Sequence, residues 1–173
     1  MADFDRLRKV VHDIASSFED SAVGCLDAHH IEIGNLVREQ LYSGLDGDEN
    51  SLRPSYSDDL FFDQPTRWQG RPDEYIQWKE RITPPVTSRM LHLPARPRDI
   101  PNLFITGRFH ESILVSAHSG SVFVETVGFV DGPEIVRKYG EDILKLGTTA
   151  RSYVVQSILT PWLERFFREK GYV

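Results

Sequence analysis

Two short runs, Leu114-Val115-Ser116-Ala117-His118 and Val122-Phe123-Val124-Glu125-Thr126, flank the pair Ser119-Gly120. Each alternates apolar or β-branched residues with polar ones, the period of two that a half-buried strand requires, and the glycine between them marks a turn. A β-hairpin is therefore expected at the centre of the chain. The stretch before it, Asn102-Leu103-Phe104-Ile105-Thr106-Gly107, reads as a short apolar helical turn that stops at Gly107. A loop then re-aims the chain through Phe109 toward Ser112-Ile113.

Helical periodicity brackets this hairpin. Phe4, Leu7, Val11, Ile14, Phe18, Ala22, Cys25, Leu26, His29, Ile33, Leu36, Val37 and Leu41 recur at three- and four-residue steps, which predicts a helix or a helix pair over residues 3–42. Asp3 is the expected N-cap and Gly44 the expected stop. Gly24 and Gly34 each weaken a helix interior by about 1 kcal/mol relative to alanine, so a break is expected between Glu19 and Gly24. A second helix is expected from Thr148 or Thr149 to Lys170, kinked at Pro161, which lacks an N–H. A shorter one runs from Pro133 to Tyr139 and closes at Gly140.

Between these parts, residues 43–100 change character. Pro54, Pro65, Pro72, Pro84, Pro85, Pro94 and Pro97 all fall here, a density that predicts a long insertion rather than regular structure. One helix is expected inside it, over 72–82, opened by Pro72 and ended before Pro84. Tyr56, Phe61, Phe62, Trp68, Tyr75 and Trp78 give the insertion more aromatic surface than a solvated linker carries. They are expected to pack on their own domain or on a neighbouring subunit. The fold class is α+β in one domain, with a core over about 1–42 and 101–173 and an insertion arm over about 43–100.

Reactive chemistry is hard to find. Asp46-Gly47-Asp48-Glu49-Asn50 begins like a calcium loop, but Ser51 stands where the turn glycine belongs and Ser57 where a bidentate Glu belongs. His29 and His30 are adjacent and point about 100° apart on a helix, so they do not chelate one ion. Cys25, the single cysteine, lies on the apolar stripe and reads as an inert buried thiol. Neither a nucleophile elbow nor a phosphate-cradling glycine loop is present. No enzyme activity and no cofactor or metal are expected. The N-terminus is acidic at once and lacks the apolar core of a secretory leader, and no apolar run reaches membrane-spanning length. With 26 acidic against 20 basic side chains, net charge −6, an extended basic surface for gripping nucleic acid is excluded.

The order Thr106-Gly107-Arg108-Phe109, Ser112-Ile113 leading into a hairpin, and then Lys138-Tyr139-Gly140 before Ile143-Leu144-Lys145-Leu146 and a final helix resembles the head–tail connector proteins of long-tailed bacteriophages. These are the tail-terminator, tail-completion or virion-morphogenesis group, and the resemblance covers roughly residues 101–165. Its motif residues are Thr106, Gly107, Phe109, Ser112, Ile113, Tyr139 and Gly140. The resemblance implies a structural virion protein made in the host cytoplasm. It also implies a ring of about six or twelve copies, contacts with neighbouring neck and tail-tube proteins, and DNA passing through without sequence-specific binding. For such a ring, Phe61, Phe62, Trp68, Tyr75, Trp78, Val122, Phe123 and Val124 are the interface candidates. Asp46, Asp48, Glu49, Asp58 and Asp59 are the candidates for an acidic lumen that keeps DNA sliding. A cytoplasmic protein-binding module using the hairpin and C-terminal helix is the alternative, with a divalent-metal enzyme behind it.

Overall fold

The apolar stripe of the N-terminal segment carries a helix straight through its first glycine. The computed structural model describes residues 2–86 and 89–172, and α1 spans Ala2–Ala28, so Asp3 lies inside the first turn rather than capping it. Gly24 has no neighbour within 4 Å and does not interrupt the helix. The break falls later, at His29, where φ is −106° and ψ 14°. There the Nδ1 atoms of His29 and His30 donate to the carbonyl oxygens of Cys25 and Asp27 at 2.8 and 2.6 Å, competing with the helix for its own acceptors. Helix α2, His30–Tyr42, follows and buries Ile33, Leu36, Val37 and Leu41 completely.

Residues 43–100 fold onto this helix pair. Leu52 and Ile100 join Val37, Leu41, Phe109, Ile113 and Ile143 in one apolar cluster, while Leu91 joins Ile33, Leu36, Val115 and Trp162 in another. A 3₁₀ turn at Leu60–Asp63 and helix α3, Pro72–Ile82, are the regular elements between. Pro72 starts α3, Asp73 and Glu74 complement its N-terminus, and the chain is already extended at Thr83, ahead of Pro84.

The helical turn expected before Gly107 instead comes after it, as α4, Arg108–Glu111. Residues 101–104 are irregular: Leu103 takes a positive φ of 53° and the Asn102 side chain accepts the Phe104 N–H, so the i to i+4 ladder never starts. The hairpin then forms as expected: β1, Ile113–His118, pairs antiparallel with β2, Ser121–Thr126. Ser119 and Gly120 both have positive φ, 51° and 70°, the conformation whose twist matches that of the flanking strands. Val115, Val122 and Val124 face the helices, while Leu114 and Phe123 face outward.

Helix α5, Gly132–Tyr139, ends at Gly140, and a 3₁₀ turn, Glu141–Leu144, buries Ile143. The last helical segment comprises α6, Thr148–Tyr153, a π-helical stretch, Val154–Leu159, and α7, Thr160–Glu169. Pro161 has no N–H to return to the preceding turn. The backbone absorbs the loss by widening: Thr160 donates through both its N–H and its hydroxyl to the carbonyl of Val155, five residues back. Trp162 and Phe166 extend the first cluster and meet the Phe18 ring of α1 at centroid distances of 5.5 and 5.6 Å, tilted and edge-on. The architecture is α+β, and no helix among the described residues is long and apolar enough to cross a membrane.

Candidate assembly surfaces

Polar side chains inside this protein hold irregular backbone in place. Arg38 of α2 donates to the carbonyls of His110 and Ile113 at 2.8 and 2.7 Å, clipping α4 and the start of β1 to the helix. Glu39 accepts the N–H groups of Met90 and Leu91 at 2.8 and 2.9 Å. Gln40 accepts from Gly147 N–H at 2.9 Å and donates to the Lys145 carbonyl at 3.1 Å. His110 donates through Nε2 to the Asn102 carbonyl, and Lys79 of α3 donates to the Phe104 carbonyl. Burial disfavours a charge in these places: it pulls Lys79 down to about 7, with Arg96 adding to the shift. It likewise pulls His110 down to about 4 against the opposing pull of the Asn102 carbonyl.

The motif residues share that structural work. Ser112 donates its hydroxyl to the Phe109 carbonyl at 2.7 Å; Phe109 and Ile113 are core. Gly107, at φ 87°, turns the chain into α4, and Thr106 Oγ1 meets the Arg108 N–H. Gly140 ends α5, and Tyr139 packs beside the second cluster.

Of the interface candidates, the insertion aromatics pack on one another. Tyr56, Phe62 and Ile76 form a buried cluster with Phe61, Trp68 and Tyr75 around it, and Tyr75 lies 5.2 and 5.3 Å from the rings of Trp68 and Trp78. In the hairpin Val122 and Val124 point inward, leaving Phe123 exposed and stacked on His118 at 4.2 Å. Four of the five acidic candidates are tied down locally. Asp46 accepts the N–H groups of Asp48 and Asn50, and Asp58 accepts from Ser55 and pairs with Arg53. Asp59 caps the 3₁₀ turn through Phe61 N–H and pairs with Lys138. Glu49 accepts the Thr149 N–H at 2.6 Å, which lowers its pKa. Asp48 and Asp58 are the exposed members of the five. No group of three His, Cys, Asp or Glu residues able to hold a metal ion occurs among the described residues.

The apolar surface that lacks cover lies elsewhere. Phe4 is 72% exposed, and Leu7 and Val11 are each 52% exposed; at steps of three and four they form one stripe along the first turns of α1. Farther along the same stripe, Ile14, Ala22 and Cys25 reach the core. A second patch surrounds the base of the hairpin, with Leu114, Phe123, Val127 and Val130 exposed. Periodicity marked the first stripe as a buried face, and no local signal distinguishes a face covered by the same chain from one left for another. Comparison of this chain with protein-family models, with curated proteins and with solved structures finds no match.

Proposed function

We propose that this protein is a non-catalytic structural subunit that closes into a ring, in the manner of the neck proteins of long-tailed bacteriophages. The observation that carries the reading is the bare stripe of Phe4, Leu7 and Val11 on α1. A helix segment with an apolar face in water gains most of its stability from whatever covers that face. The hairpin patch is a second and different surface, and two unlike patches on one subunit generate head-to-tail contacts that close into rings. The resemblance of residues 101–165 to head–tail connectors points the ring to a phage neck. Its partners are then further copies of the chain and the adjoining neck and tail-tube proteins, and its location is the virion.

Native mass spectrometry and electron microscopy of the purified protein test this. A closed ring of about six or twelve copies with a central hole of at least about 20 Å, the width of a DNA duplex, is the expected result. Phe4→Ser with Leu7→Ser should release folded monomers with an unchanged far-UV spectrum. A wild-type protein that stays monomeric at high concentration refutes the proposal.

A further inference from the structure

Among the described residues Lys79 is the largest that is fully buried, with 1% of its surface exposed. Its donation to the Phe104 carbonyl uses one of the three N–H groups of an ammonium. A buried cation ordinarily faces a carboxylate. The carboxylate of Asp59, which shares a cavity wall with Lys79, is engaged by Lys138 and by the Phe61 N–H. The charged group that acts on Lys79 is a second cation, Arg96, and the histidine beside it, His110, is held neutral.

Lys79 also lines a cavity of about 260 Å³ between α3, the 101–105 segment and α5. The remainder of the wall is mostly apolar and aromatic, and no hydrogen bond contributes to the environment of the Tyr75 and Tyr139 hydroxyls. An apolar cavity with a few convergent polar groups is the form that small-molecule sites take.

We propose that this cavity binds a small monocarboxylic acid with a compact apolar body, its carboxylate against the Lys79 ammonium and its body among Tyr56, Phe62, Tyr75, Ile135 and Tyr139. The carboxylate supplies the counter-charge that the fold withholds from Lys79. The volume lies just under the roughly 300 Å³ at which sites for drug-sized ligands begin, so the body is on the order of one ring. This inference is independent of ring assembly.

Calorimetric titration of the full chain with phenylacetate, and with phenylacetamide as the neutral control, tests it at pH 6.5 and pH 9. Among the groups around the cavity, Tyr56, Tyr75 and Tyr139 are pushed up to about 12 or beyond and His110 is already neutral, leaving Lys79 as the one that changes charge in this window. Saturable binding of the acid, at least about tenfold tighter than the amide at pH 6.5, is expected, with that preference gone at pH 9. Lys79→Met should bind acid and amide equally. Ile135→Trp, which fills the cavity and leaves the ammonium in place, should bind neither. Equal affinities in the wild type, a preference that ignores pH, unchanged binding by Ile135→Trp, or no binding up to about 10 mM would each overturn the proposal. The wild-type comparison and the Ile135 variant decide the matter even where Lys79→Met does not fold.

Discussion

Replacing Gln40 with methionine isolates what one buried amide contributes to this fold. The side chain is 1% exposed and bridges α2 to the backbone at Lys145 and Gly147, the segment that feeds α6. Methionine keeps the length and the apolar volume and removes both bonds. The N–H of the buried Gly147 is then left without a partner, which costs about 1–3 kcal/mol, and the lost bond to the Lys145 carbonyl adds about 1 kcal/mol. The expected loss is therefore about 2–4 kcal/mol, or a fall in Tm of roughly 5–15 °C for a chain of this size. Urea unfolding followed by far-UV circular dichroism measures it directly, with a lower midpoint and an unchanged slope expected. Gln40→Glu supplies an internal control. It keeps the acceptor for Gly147 but turns a second oxygen on the Lys145 carbonyl, so its deficit should shrink as pH falls and the carboxyl protonates. A loss below about 0.5 kcal/mol for Gln40→Met, the range of an ordinary surface substitution, would refute the bridge as a source of stability.

The pH dependence of stability should carry the mark of His110. Its folded-state pKa of about 4 lies below the ordinary value of 6.5, so the unfolded chain takes up a proton first as pH drops. The His110 contribution is then full above pH 6.5 and declines by about 3 kcal/mol toward pH 4. Urea midpoints measured across that interval check this, and His110→Phe, which also removes the unpartnered Nδ1 atom, should flatten the profile. Gly47→Ala should destabilise by about 2 kcal/mol or more, because a Cβ there would lie 2.3 Å from the Lys145 Cβ and 2.7 Å from the Asp142 carbonyl oxygen. Thermal unfolding reads that loss, and a Tm unchanged from wild type would show that the 142–145 turn can move aside.

Elements whose signals are local were legible in the sequence. Pro72 with Asp73 and Glu74 at one end of α3 and Pro84 beyond the other left little freedom in its bounds, and the Ser119-Gly120 turn set the hairpin register. Features decided by side chains reaching back to the backbone were not legible. The break at His29 depends on imidazoles bonding to Cys25 and Asp27. The irregular run before Gly107 depends on Asn102, whose own carbonyl is taken by His110. The π-helical stretch depends on Thr160 doubling its bond to Val155. Lys79 did leave a signal: it lies three and four residues from Ile76 and Tyr75, hence on the same buried face of α3. The position of Phe104, which accepts from it, depends on a fold no local pattern reveals.

Long-range polar contacts also explain how a proline-rich third of the chain, with no strand among its described residues, can be ordered. Glu39 holds Met90 and Leu91, Lys79 holds Phe104, His110 holds Asn102, and Asp99 holds Ser57 through both its N–H and its hydroxyl. Each bond ties a segment whose backbone lacks a ladder partner, meeting the requirement that buried backbone groups be satisfied. Removing any one of them leaves an unmet group at the other end. Under the proposed ring assembly, the Phe4, Leu7 and Val11 stripe of α1, which nothing in its own chain covers, is the face that another copy would bury.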